Sequence, residues 1–69
     1  MLSENVEVAM ALNEVCSIGI EALDARVRGV KLDASRVQML LAKLAESAKP
    51  KAELLIQIVP GVKALLQGL

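Results

Sequence analysis

Ser17, Ser35 and Ser47 could attack an acyl or phosphoryl group only with a base to activate them, and the sequence holds no histidine. No acyl-transfer triad can be assembled from such a chain. Glu14 and Glu21 are the best-spaced carboxylates for general acid–base work. They stand two helical turns apart on a polar face, where solvation is their ordinary role. Gly29 and Gly61 belong to no phosphate-cradling pattern. One thiol and scattered carboxylates make no metal-ligand set. We therefore expect no catalytic residue, no bound cofactor and no metal; the protein reads as a non-enzyme.

Cys16 is the only cysteine, so no disulfide can form within the chain. It falls inside an apolar stripe, which predicts a small core residue rather than a redox switch. With neither disulfide nor metal, 69 residues give only a marginal core, and 55% of them are apolar. Chains in this position usually acquire stability from a partner, and exposed apolar surface usually marks where the partner binds.

The elements that carry these residues are helical. The first helix is predicted over about residues 4–28, with Ser3 as N-cap and Gly29 as the stop. Steps of four and three along it give Leu2, Val6, Ala9, Asn13, Cys16, Ile20, Leu23, Val27 and Val30. All but Asn13 are apolar, which is a heptad seam. We assign Val6, Ala9, Asn13, Cys16, Ile20, Leu23 and Val27 to a dimer or core seam. Asn13 has two readings: an amide pair that sets register across a dimer, or a local rotation that turns Leu12 or Val15 inward. A second stripe, Val8, Leu12, Val15, Gly19 and Ala22, runs beside the seam. The apolar surface is thus wider than a two-stranded coiled coil needs, and more than one neighbour is expected.

A tight connection, Gly29 to Asp33, leads to a second helix over about residues 34–47. Asp33 is placed as its N-cap, with Leu32 and Val37 as a hydrophobic staple. Val37, Leu40, Leu41, Leu44, Ala45 and Ala48 should face inward. So short a connection favours an antiparallel hairpin. Residues 1–25 contain five acids and no base, whereas residues 26–69 contain eight bases and three acids. Folding back at the connection would set Lys43 near Glu21 and Lys49 near Glu14. The third segment, about residues 51–67, is interrupted by Pro60-Gly61, so a helix to about Ile58 followed by a kinked continuation is expected. Leu55, Val59, Val62, Leu66 and Leu69 form its apolar stripe. Because it is more apolar than a terminal segment normally is, Ile58, Val62, Leu65 and Leu66 are candidates for a partner-recognition surface; the rival is that the segment packs over the hairpin and completes the core.

The fold expected is all-α: one domain over residues 1–69, with an antiparallel helical hairpin and a kinked apolar C-terminal helix, assembled as a homodimeric helical bundle. The function expected is a small protein-binding adaptor or inhibitor that masks a surface on another protein, of the size common among bacterial and phage accessory proteins. The alternative is a nucleic-acid-binding regulator using Arg36, Gln38, Lys43 and Lys49 of the second helix, with Lys31 and Lys51 nearby. Zero net charge and the acidic first helix argue against it. The last 16 residues are too short to span a bilayer and lack a Lys/Arg-rich face, which argues against membrane action. The N-terminus carries Glu4 and Glu7 rather than a basic leader, so a cytoplasmic location is expected.

Overall fold

A computed structural model describes the backbone of residues 2–68 and the side-chain surroundings of residues 5–68. Three helices make up the fold: α1 (Leu2–Arg28), α2 (Ala34–Ser47) and α3 (Glu53–Gln67). No strand occurs among the described residues. α1 begins at Leu2, so Ser3 stands inside the helix rather than at its N-cap; the side chain of Leu2 and all of Leu69, the ends of the two stripes, lie outside the described residues.

The stop at Gly29 has full capping geometry. Gly29 adopts φ 68°, its amide donates to the carbonyl of Arg26 at 3.2 Å, and the amide of Val30 donates to that of Ala25 at 2.9 Å. This is a Schellman cap, whose left-handed residue favours glycine for want of a Cβ. Asp33 occupies the N-cap position of α2 with extended backbone, but its carboxylate makes no capping hydrogen bond. Leu32 and Val37, the staple pair, are both partly buried against the core.

The helices run up, down and up. Arg36 in the first turn of α2 meets Glu21 of α1, while Glu46 and Ser47 at the far end of α2 share a cavity with Glu7, Met10 and Ala11. The hairpin is therefore antiparallel. α3 lies parallel to α1, because Val62 packs beside Gly19 and Gly68 comes near Arg26. At Gly19 a Cβ would stand 3.3 Å from Val62 Cγ2, so the absence of a side chain allows α1 and α3 to approach closely there. Ala11, Val15, Ile18 and Ala22 of α1, Leu40 and Leu44 of α2, and Leu55, Val62 and Leu66 of α3 build one core. On α2, Val37, Leu41 and Ala48 are partly buried as expected, but Ala45 is exposed.

α3 runs as one continuous helix through Pro60, and the break after Ile58 is absent. Proline removes the hydrogen bond to the carbonyl of Ile56. Both Pro60 and Ile56 are exposed, so water can satisfy that carbonyl. Leu55, Val62 and Leu66 meanwhile hold both halves of the helix in the same core.

Candidate interaction surface

α1 is apolar on two sides, and the fold uses one. At about 100° per residue, Val15 and Ala22 point roughly opposite to Ala9, Ile20 and Val27. The chain buries the first set and leaves the second in solvent. Val6, Ala9, Asn13, Cys16, Ile20, Leu23 and Val27 are all exposed, Ile20 to 67% and Val27 to 85%. This corrects the core reading of the seam: within one chain none of these residues is interior. It corrects Cys16 in particular, which is a free, exposed thiol. Met10, one turn from Val6 and Asn13, is exposed as well.

The stripe of Val8, Leu12, Val15, Gly19 and Ala22 faces the chain's own helices instead, and Val8 is partly buried at its end. Small residues explain the choice. Ala11, Gly19, Ala22 and Ala25 leave room for α2 and α3 to approach, and close approach fills the interior at native density. The seam side carries bulkier Val, Ile, Leu and Met.

The C-terminal residues assigned to partner recognition take the opposite place. Val62 is 7% exposed and Leu66 1%; Ile58 and Leu65 are partly buried against the same core. Their apolar character is taken up by the chain's own core, Val62 and Leu66 fully and Ile58 and Leu65 in part.

Polar groups fix the hairpin. The Arg36 guanidinium donates from Nε to Glu21 Oε2 at 2.7 Å and from Nη2 to Glu21 Oε1 at 2.6 Å. These hydrogen bonds, with the charges of Arg36 and the more distant Lys43, hold the Glu21 carboxyl below its ordinary range against a smaller opposing effect of burial. Lys43 lies near enough for its charge to act on Glu21, as expected, but the ion pair goes to Arg36 because the first turn of α2 comes level with Glu21. Lys49 pairs with Glu46 at 2.9 Å rather than with Glu14. Two of the basic side chains named for nucleic acid, Arg36 and Lys49, are engaged within the chain.

No group of three or more potential metal ligands occurs among the described residues. The largest cavity described, about 580 Å³, is lined by Glu7, Met10, Ala11, Glu46, Ser47, Lys49 and Pro50. Its Glu46 and Lys49 pair with each other, so Ser47 gains no activating base from them. No described helix is long and apolar enough to cross a membrane.

The exposed area is large for the mass. The chain presents 4968 Å², whereas a compact monomer of 7.3 kDa presents about 4,200 Å². The excess, roughly 800 Å², is close to what one partner contributes to a standard protein interface. Comparison with protein families, with curated proteins and with solved structures finds no match to this chain.

Proposed function

We propose that this chain is a non-enzymatic, protein-binding adaptor or inhibitor of the cytoplasm, which acts as a homodimer and works by masking a surface on another protein. One observation carries the reading: a complete heptad seam, Val6 to Val27, stands in solvent on the side of α1 that the chain's own core does not use. Leaving that much apolar side chain in water is unfavourable by about 25 cal/mol per Å², and a protein partner reverses the cost. An exposed cysteine thiol suits a reducing compartment. Within α3, the hydrogen bond missing at Pro60 marks where the helix bends most readily.

The rival, a regulator that binds nucleic acid through α2, has weaker support, because Arg36 spends its guanidinium on Glu21. Solution mass and an electrophoretic mobility shift at low salt separate the two. The adaptor reading expects an assembly of protein alone and no shift of duplex DNA. A monomer that retards DNA in a salt-sensitive way would replace it with the regulator.

A further inference from the structure

We propose that the first occupant of the α1 seam is the α1 of a second copy, lying parallel and in register, so that Asn13 meets Asn13 and Cys16 meets Cys16 of that copy. This rests on the protein-binding reading above and specifies how the homodimer is built.

The seam has two alternating positions. Val6, Asn13, Ile20 and Val27 repeat every seven residues at one, and Ala9, Cys16 and Leu23 at the other, before the helix stops at Gly29. β-Branched residues at the first position, with leucine at the second, favour two parallel strands. Here three of four first positions are Val or Ile, and Leu23 occupies a second position. A lone asparagine at a first position selects register and two-strandedness in such pairs. Only the parallel, in-register arrangement sets each Asn13 opposite its equivalent, where one amide donates to the other's carbonyl oxygen. An antiparallel pair puts Asn13 against Leu23 or Cys16, according to register, and neither satisfies its amide; a polar group buried without a partner is costly.

The seam residues themselves stay open, although α3 reaches the flanking position Gly19 and the core takes up part of Leu12. α2 and α3 pack against Val15, Ile18 and Ala22, roughly opposite the seam. The positions flanking it hold Asn5, Met10, Leu12, Ser17, Gly19, Asp24 and Arg26, so they carry few charges to repel across it. Glu7, Glu14 and Glu21 lie farther round the helix and stay outside the contact. The roughly 800 Å² by which the chain over-exposes itself matches the share one partner gives to a standard interface.

Cys16 supplies the test without mutation. With helix axes about 8–10 Å apart and Cα atoms about 2.3 Å from each axis, squarely facing Cα atoms stand ~3.4–5.4 Å apart, which overlaps the disulfide range of about 4.4–6.8 Å. In an antiparallel pair Cys16 faces Ile20 or Asn13, and the two thiols are offset by a further ~4.5–6 Å along the axis. The full chain at about 10 µM is incubated with oxidised glutathione, which takes two electrons and two protons from a pair of thiols and leaves as two reduced glutathiones. The parallel dimer gives a disulfide-linked pair roughly a hundredfold faster than the same chain in guanidinium, because the thiols are held at millimolar effective concentration. A control, Cys16→Ala with Ser35→Cys, moves the thiol to an exposed site on α2 and should show no acceleration. Asn13→Val gives a second readout: the chain should associate more tightly and no longer stop at the dimer. A dimer without accelerated Cys16 linkage, or an Asn13→Val chain unchanged in mass and affinity, overturns the parallel arrangement while leaving self-association standing. A folded monomer overturns both.

Discussion

Arg36 holds Glu21 through both carboxylate oxygens, at 2.7 and 2.6 Å, and so ties the first turn of α2 to the middle of α1. Because the ionised form is favoured in the folded state, the Glu21 carboxyl titrates below the unfolded chain's value of 4.5. A depressed carboxyl contributes stability that is fully present above the unfolded value and is lost as pH falls through the folded one. Glu21→Gln should therefore lower the melting temperature at neutral pH. The gap to the parent chain should close only as the pH drops below about 4.5. Thermal denaturation followed by circular dichroism across this range checks it, and a gap that is constant with pH would show that the pair contributes no charge-dependent stability.

Truncations in the interior should act on folding itself. Leu44 is 2% exposed and Leu66 1%, and both belong to the central cluster. Leu44→Ala or Leu66→Ala should each cost about 2–5 kcal/mol, the usual sum of lost transfer energy and residual cavity. Urea denaturation measures this. A loss under about 1 kcal/mol for Leu66→Ala would mean that α3 is not held in the core as described.

Gly29 should resist substitution although no heavy atom lies within 4 Å of the Cβ it lacks. The reason is backbone conformation, since a side chain in the left-handed region costs about 1–2 kcal/mol. Gly29→Ala should be less stable by that amount. Gly61→Ala, in open space within α3 and without positive φ, should be more stable by about 0.5–1 kcal/mol. Opposite signs for two formally identical substitutions are the outcome to look for.

Much of the helical layout was legible in the residues because local chemistry determines it. Gly29 marked the stop of α1, and residues 34–47 form α2 as read. The antiparallel hairpin followed from its short connection. Tertiary choices were less legible. Periodicity reports that a side of a helix is apolar, but α1 has two such sides, and nothing local says which one its own neighbours will take. The seam of Val6 to Val27 was recognisable as a heptad; its exposure was not. The signal that could have decided it is residue size, since Ala11, Gly19, Ala22 and Ala25 all lie on the buried side. Pro60 does not end the helix, for a related reason: whether a proline interrupts a helix depends on whether the carbonyl it strands faces water, which the fold decides. Of the two readings of Ile58, Val62, Leu65 and Leu66, the placement favours the one in which they complete the core, because a core this small enlists nearly every apolar stripe within reach.

The central claim is that the exposed side of α1 is an interface between copies of this chain. Ile20 tests it well, being 67% exposed and outside the core cluster. A buried unpaired charge at an interface costs several kcal/mol, whereas the same charge in solvent costs little. Sedimentation equilibrium of the parent chain and of Ile20→Asp, with circular dichroism on the same samples, is the direct measurement. The account predicts twice the 7.3 kDa chain mass for the parent and a helical monomer for Ile20→Asp. A parent chain that is folded and monomeric at tens of micromolar, or an Ile20→Asp dimer as tight as the parent, would contradict it.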